Sequence, residues 1–78
     1  MIGTEVHPKQ VGVIAWINGP VVRARGSRDV GMHEVLQVGP EYLIGEVIRL
    51  SGDTITLQVY EETAGLKPGM PLYTTGSP

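Results

Sequence analysis

Glycine and proline interrupt this chain so often that long helices are excluded. Of its 78 residues, 11 are glycine and six are proline, and both residue types destabilise the interior of a helix. The segments between these breaks are rich in valine, isoleucine and threonine, which favour extended backbone. The pattern therefore predicts an all-β fold of short strands joined by tight turns.

The turn residues also set the expected strand boundaries. We expect strands over residues 11–17, 21–25, 32–38, 42–50, 54–60 and 72–74. Asn18-Gly19 should supply the positive φ angles of the first hairpin turn, and Pro68-Gly69 should form a type II turn. Gly45, inside the fourth strand, predicts a bulge or a sharp barrel corner.

Six strands in so short a chain favour a small closed six-stranded antiparallel β-barrel, because closure removes the exposed edges of a sheet. In the fifth strand Ile55, Leu57 and Val59 alternate with Thr54, Thr56, Gln58 and Tyr60, so one face should point inward. Trp16 is expected at the end of the barrel, where its indole N–H can find a partner. The expected core consists of Val13, Ile14, Val22, Ala24, Leu36, Val38, Ile44, Val47, Ile48, Ile55, Leu57 and Val59.

Composition excludes several classes of function. The formal charge of −2 and the shortage of aromatic residues (one tryptophan, three tyrosines and no phenylalanine) argue against nucleic-acid binding. The chain has no cysteine and only two histidines without zinc-type spacing, so neither disulfides nor a metal site is expected. A domain of this size buries only about 60% of its unfolded surface. A partner surface is therefore the expected additional support.

Neither membrane insertion nor secretion is predicted from the sequence. No stretch approaches the roughly 20 apolar residues that a membrane helix requires. The first residues carry no basic segment followed by an apolar run, so no signal peptide is expected. The expected location is cytoplasmic, with no direct contact to the membrane.

The lysines exclude a phosphate-binding loop within these 78 residues. Such a loop requires Lys followed by Ser or Thr at the start of a helix. The only lysines, Lys9 and Lys67, are followed by Gln10 and Pro68. We therefore expect no catalytic residue and no bound cofactor in this domain.

A hydrolytic triad is the other catalytic arrangement to consider. Ser27, Asp29 and His33 lie within one loop-to-strand segment, and no nucleophile-elbow motif surrounds the serine. Ordinary turn residues are the better interpretation, because serine and aspartate commonly hydrogen-bond the backbone in turns.

Charged residues supply the candidate subunit interface. Arg23 and Arg25 are two residues apart and should share a strand face with Arg28 close by. This cluster is either a solvated outer face or a contact with acidic residues of a neighbouring subunit; nucleic-acid binding is the third and least favoured interpretation, because aromatic stacking partners are scarce. Glu61 and Glu62 should point to opposite sides and so not share a proton. They are either solvated loop acids or interface salt-bridge partners.

Several segments, in the same order along the chain, resemble those of one protein family. They are Asn18 to Val22 (NGPVV), Met32 to Val35 (MHEV) with Val38-Gly39, Leu43 to Leu50 (LIGEVIRL) with Gly52-Asp53, Gln58 to Leu66 (QVYEETAGL), Pro68-Gly69 and Thr75-Gly76. Together they are similar to the N-terminal β-barrel of the catalytic A subunit (alpha chain) of V-type and archaeal A-type rotary ATPases. GEVIRL and VYEETAGL make the chain more similar to that subunit than to the non-catalytic B subunit.

The resemblance implies a structural role in a larger enzyme. A and B barrels of this family alternate in a ring at the membrane-distal end of the hexamer, which synthesises or hydrolyses ATP while it moves protons or sodium ions. ATP and Mg²⁺ would bind in the nucleotide-binding domain of the full-length protein. The implied partners are B subunits and, as further candidates, peripheral stalk subunits. The complex as a whole would be peripheral to the membrane.

The resemblance also implies the layout of the chain and its state in isolation. Residues 1–10 would form an N-terminal extension, 11–76 the barrel, and 77–78 the start of the link to the nucleotide-binding domain. The isolated domain is expected to be a monomer without ATPase activity, because exposed ion pairs are too weak to hold a ring together. The alternative is a free-standing barrel of the OB or SH3-like type that binds RNA or protein.

Overall fold

The computed structural model describes residues 8–74, and every regular element in that range is a β-strand. The strands are β1 (Lys9–Asn18), β2 (Val21–Gly26), β3 (Val35–Val38), β4 (Leu43–Ser51), β5 (Thr54–Val59) and β6 (Pro71–Thr74). They close into a barrel in the order β1-β2-β5-β4-β3-β6, and all neighbouring pairs are antiparallel. The predicted closed six-stranded antiparallel barrel is confirmed. Residues 1–7 and 75–78, which include most of the expected extension and link, lie outside the described residues.

Two predicted strands begin later than expected because left-handed residues precede them. β3 starts at Val35 instead of residue 32, since His33 has a φ of 66°. The segment just before β3 nevertheless runs beside β4, because the His33 N–H donates to the Val47 carbonyl at 2.8 Å. Tyr42, with a φ of 56°, likewise lies in the turn before β4.

The turn predictions are confirmed in one case and corrected in the other. Gly69 has a φ of 97°, and the Met70 N–H donates to the Lys67 carbonyl at 3.2 Å, as the predicted type II turn requires. The β1–β2 hairpin has Gly19 and Pro20 as its central residues, not Asn18-Gly19. Of these two residues only Gly19 has a positive φ, 57°. A two-residue hairpin turn with glycine in the first central position requires a positive φ at that position alone.

The barrel interior is filled by aliphatic side chains. The buried hydrophobic residues are Val11, Ile14, Val22, Ala24, Val30, Leu36, Val38, Val47, Ile55, Leu57, Val59, Leu66 and Leu72. The predicted inward face of β5 is confirmed, since Leu57 is fully buried. The sequence prediction was wrong for Val13, Ile44 and Ile48, which are 41%, 41% and 40% exposed. It also missed Val11, Val30, Leu66 and Leu72.

Gly45 explains the error in β4 and corrects the expected bulge. It pairs regularly with Val59 and lies inside the barrel, where an added Cβ would meet methyl groups of Val38 and Val59 at 3.3 Å. Because Gly45 faces inward, Ile44 must face outward. The β4 bulge lies later, where the register with β5 shifts between Val47 and Arg49.

β6 closes the barrel although it has only four residues. It pairs with β1 along one edge and with β3 along the other. The hydroxyl of Thr74, its last residue, donates a hydrogen bond to the carboxylate of Glu34, and that carboxylate also accepts from the Gly31 N–H at 3.0 Å. The end of β6 is thereby tied to the loop that leads into β3.

Candidate subunit interface

Four outward-facing residues form one row across the outer wall of the barrel. Arg23 on β2 pairs with Trp16 on β1 and with Thr56 on β5, and Thr56 pairs in turn with Arg49 on β4. We call Trp16, Arg23, Thr56 and Arg49 the cross-strand row. The row places one arginine on each side of β5.

Two β-bulges lie at the level of the cross-strand row. In β1 the register shifts between Ile14 and Trp16, and in β4 it shifts between Val47 and Arg49. A bulge adds a residue to one strand and redirects its side chains. As a result Ile48 and Arg49 are both exposed although they are consecutive, so an apolar and a cationic side chain lie side by side on the outer wall.

A groove of about 530 Å³ runs along this part of the wall. It is lined by Arg23, Ile48, Arg49, Ser51, Thr54 and Thr56. Its lining thus combines two guanidinium groups, three hydroxyl groups and one aliphatic side chain. Such a surface can donate many hydrogen bonds to an anionic group.

Trp16 contacts one of these guanidinium groups with the face of its ring. The Cζ atom of Arg23 lies 4.6 Å from the centroid of the Trp16 ring, a distance at which a cation and an aromatic face attract each other by about 0.5–1 kcal/mol at an exposed site. The sequence prediction placed Trp16 at the end of the barrel. It lies instead on the outer wall, where it is 40% exposed.

The structure places two of the three predicted arginines on one strand face and the third in a loop. Arg23 and Arg25 share the outer face of β2, as expected, with the buried Ala24 between them. Arg25 pairs with Asp53 of the β4–β5 turn at 3.8 Å. Both side chains are mostly exposed, so this pair contributes at most about 1 kcal/mol. Arg28 is exposed in the loop after β2 and does not belong to the cross-strand row.

Glu61 and Glu62 follow the last residue of β5. Because β5 runs antiparallel to β2, they lie at the end of the β2–β5 wall opposite to Arg25. An oxygen of Glu61 accepts from the Ile44 N–H at 2.6 Å, and one of Glu62 accepts from the Ala64 N–H at 3.1 Å. The two carboxylates therefore bind different backbone groups of their own chain. The structure does not bring them together with the arginines.

Glu46 is a third carboxylate at this end, and the sequence analysis missed it. It accepts a hydrogen bond from the Tyr60 hydroxyl at 2.7 Å, and its other oxygen lies 3.1 Å from Nδ1 of His33. The hydrogen bond from Tyr60, followed by the contact with His33, lowers the pKa of Glu46. The same hydrogen bond raises the pKa of Tyr60. The sequence carried no signal for it, because the inward position of Gly45, which turns Glu46 outward beside Tyr60, follows from the strand register.

The side chains of Ser27 and His33 from the hypothetical triad make other contacts. The Ser27 hydroxyl accepts from the Asp29 N–H at 3.0 Å, which is an ordinary turn contact. His33 contacts Glu46 instead. Between residues 8 and 74 there is also no cluster of three or more His, Cys, Asp or Glu side chains suited to a metal ion.

Comparison with known proteins decides what kind of barrel this is. Residues 10–76 match the model of the β-barrel domain of the ATP synthase alpha/beta family. The chain belongs to this family. The resemblance in the sequence motifs is thereby confirmed, and it extends to the A subunits of both A-type and V-type enzymes.

Three relatives show how much of the family's subunits the chain represents. It is 52% identical over 75 residues to the A subunit of the A-type ATP synthase of Haloferax volcanii, covering 96% of the chain and 13% of the relative. It is 52% identical over 67 residues to the V-type ATP synthase alpha chain of Halothermothrix orenii, covering 86% and 11%. It is 50% identical over 70 residues to the catalytic A subunit of the V-type proton ATPase of Trypanosoma congolense, covering 90% and 12%. The chain thus spans about an eighth of the length of these curated relatives.

In this member of the ATP synthase alpha/beta family, the described residues form a barrel domain whose inside is a packed core. The distinctive polar chemistry lies outside, on the wall made by β2, β5 and β4. No helix long and apolar enough to cross a bilayer occurs in the range 8–74.

Proposed function

We propose that this chain is a structural and assembly domain of the A subunit of a proton- or sodium-translocating rotary ATPase. In this proposal it alternates with the barrels of B subunits in a ring at the membrane-distal end of the catalytic hexamer. The ring braces the nucleotide-binding domains while the central rotor turns. The observation that carries the proposal is the match of residues 10–76 to the barrel domain of the ATP synthase alpha/beta family.

The packing of the barrel supports a bracing role. Its interior is filled by aliphatic side chains such as Leu36, Leu57 and Leu72, each fully buried, so the barrel is a packed core and not a ligand chamber. β-Strands hydrogen-bonded on both edges form a stiff body without open edges. Such a body can hold neighbouring subunits at a fixed distance.

The proposal assigns the chemistry to the rest of the protein. These 78 residues contain no phosphate-binding loop, so ATP and Mg²⁺ would bind in the nucleotide-binding domain of the full-length protein. The proposed partners are B subunits and peripheral stalk subunits. The proposed location is cytoplasmic and peripheral to the membrane, through the whole complex, and the isolated domain is proposed to be a monomer.

Deletion of the barrel from the complete A subunit tests the assembly role. Wild-type and barrel-less proteins would each be mixed with B subunits and weighed by native mass spectrometry. We expect a hexamer with the wild type and mainly smaller species without the barrel. Retained Mg-ATP binding by the barrel-less protein is the control for folding of the remainder. Full hexamer formation without the barrel would contradict the proposal.

Isothermal titration of the 78-residue chain with Mg-ATP tests the catalytic assignment. We expect no binding heat, because the chain lacks the backbone N–H cradle and lysine that hold phosphates. The complete A subunit, titrated in the same buffer, is the positive control. Micromolar affinity of the isolated chain for Mg-ATP would show that this domain takes part in nucleotide binding.

A further inference from the structure

We propose that the cross-strand row and its groove bind a carboxylate-bearing segment of the neighbouring subunit in the ring. This inference rests on the proposed assembly role and deepens it, because it names the face of the barrel and the chemistry of its partner. The five interface residues predicted from the sequence did not define this surface: only Arg23 belongs to it.

The two arginines of the groove are without a carboxylate in the described part of the chain. Within residues 8–74 the ion pairs are Arg25 with Asp53 and His33 with Glu46. The guanidinium of Arg23 lies over the face of Trp16. Guanidinium groups prefer bidentate contact with carboxylates, so Arg23 and Arg49 leave strong hydrogen-bond donors available to another molecule.

The spacing of the arginines suits an extended acidic segment. Arg23 and Arg49 are each paired with Thr56, on opposite sides of β5, so their backbones are separated by two interstrand spacings, about 10 Å. Thr56 lies between them on β5, and Thr54 lines the same groove one step along the strand. One carboxylate on each arginine fits this spacing.

The surface is built by features that a plain strand would lack. The bulge in β4 sets Ile48 and Arg49 side by side on the outside, and the bulge in β1 lies beside Trp16 at the same row. Trp16 restricts the position of the Arg23 guanidinium, which reduces the entropy lost on binding. Tryptophan and arginine are both enriched in interface hot spots.

A protein partner is favoured over a nucleic acid by the charges around the groove. The chain has a net charge of −2, and Glu46, Glu61 and Glu62 lie toward the other end of the same wall. A long polyanion laid along this wall would meet these acids. A short acidic segment of a protein can contact the arginines alone.

Site-specific photo-crosslinking in the complete complex of A and B subunits tests the inference. Gln58 is exposed on β5 and pairs with Val21 and Glu46, one step along from Thr56 and outside the groove lining. The complete A subunit carrying p-benzoylphenylalanine at Gln58 would be assembled with B subunits, irradiated and digested. We expect a crosslink to a peptide of the B subunit that contains Asp or Glu.

Charge reversal then separates the groove from general electrostatics. Arg23→Glu with Arg49→Glu should lower the crosslink yield at least ten-fold, and the neutral pair Arg23→Gln with Arg49→Gln should lower it by a smaller factor. Lys9→Glu with Lys67→Glu makes the same change in net charge at exposed positions outside the groove, and the yield should stay within two-fold. Unchanged melting of the Gln variants confirms that the barrel remains folded.

The outcomes distinguish this inference from the proposed function. Failure of the wild-type protein to assemble with B subunits would contradict the proposed function. A hexamer that gives no crosslink from position 58, or equal yields for the groove and control variants, would overturn the groove while the assembly role stands. Binding of a fluorescent 20-mer oligonucleotide that the groove substitutions abolish, with an unchanged crosslink, would identify a nucleic-acid surface instead and also overturn it.

Discussion

The acids of the β2–β5–β4 wall have hydrogen-bond partners within the chain, whereas two of its arginines, Arg23 and Arg49, have no carboxylate partner among residues 8–74, although Arg25 beside them pairs with Asp53. Toward the end of β5, Glu46 accepts from Tyr60, and Glu61 accepts from the Ile44 N–H. Toward the beginning of β5, Arg23 and Arg49 have no carboxylate partner among residues 8–74. The acids should therefore stabilise the fold to which they belong, whereas Arg23 and Arg49 should contribute less to it. This contrast is why we assign partner binding to the arginines.

The largest expected effect concerns the core that supports both ends. Leu57 is fully buried beneath the wall, so Leu57→Ala should lower the free energy of unfolding by about 2–5 kcal/mol through lost burial and a cavity. Gln58→Ala, at the exposed neighbouring position, should change it by less than about 0.5 kcal/mol. Urea denaturation measures both. A larger effect at Gln58 would mean that the two faces of β5 are assigned the wrong way round.

The direct comparison of the two ends uses one acid and one arginine. Glu61→Ala should lower the free energy of unfolding by about 1 kcal/mol, because the Ile44 N–H loses a charged acceptor. Arg49→Ala should lower it by less than about 0.5 kcal/mol, since no carboxylate partner in the described range is lost. Thermal melts of the two variants in one buffer decide between them. Equal destabilisation would remove the contrast.

A smaller effect is expected from the contact between Trp16 and Arg23. A double-mutant cycle with Trp16→Ala and Arg23→Ala should give a coupling energy of about 0.5–1 kcal/mol, typical of an exposed cation–π pair. The cycle is measured by urea denaturation of the four proteins. A coupling energy near zero would mean that the ring does not hold the guanidinium in place.

The smallest expected effect is a shift in titration. Tyr60→Phe removes the main cause of the lowered pKa of Glu46, so that pKa should rise toward 4.5, the ordinary value. The lowered pKa of Glu46 contributes stability that is present at pH values above the ordinary pKa and is lost as the pH falls through the pKa of the folded state. The variant lacks this contribution, so it should lose stability at neutral pH relative to low pH. Carboxyl ¹³C NMR measures the titration. Thr63→Ser is the control; an unmoved Glu46 pKa would contradict the hydrogen bond.

Tyr60 adds the opposite pH dependence. The pKa of Tyr60 is raised above the ordinary 10.0. The stability that its hydrogen bond contributes is therefore present below pH 10.0 and is lost as the pH rises through the pKa of the folded state. The wild-type protein should therefore lose this hydrogen bond in strongly alkaline solution. Ultraviolet titration of the tyrosines follows the change, and an ordinary pKa for Tyr60 would contradict the assignment.

Local rules predicted the barrel but not the details of its outer wall. Strand period and turn chemistry were sufficient for β5, where polar and apolar residues alternate strictly. They failed in β4, because apolar residues occur there at both odd and even positions, so alternation does not indicate which face is inward; these residues are Leu43, Ile44, Val47 and Ile48. Only the register, with Gly45 inside and a bulge at residue 48, decides which of them are exposed.

The candidate site was harder to predict because it depends on pairs that are distant in sequence. Arg23 was recognised from its neighbours Arg25 and Arg28, which are local. Its true neighbours in the row, Thr56 and Arg49, come from other hairpins and are brought together by strand register. Val30 and Leu66 were missed for a similar reason: they are buried from loops, where no period marks the inward side.

The position of β6 has a consequence for synthesis of the chain. The four-residue strand Pro71–Thr74 pairs with both β1 and β3. The barrel therefore cannot close until β6, its last strand, has been synthesised. Until then a nascent chain on the ribosome presents two unpaired strand edges, which favour wrong pairing between chains. Because closure joins residues far apart in sequence, it is also the slow kind of step. Chaperone capture of nascent chains should therefore end only when residue 74 has emerged.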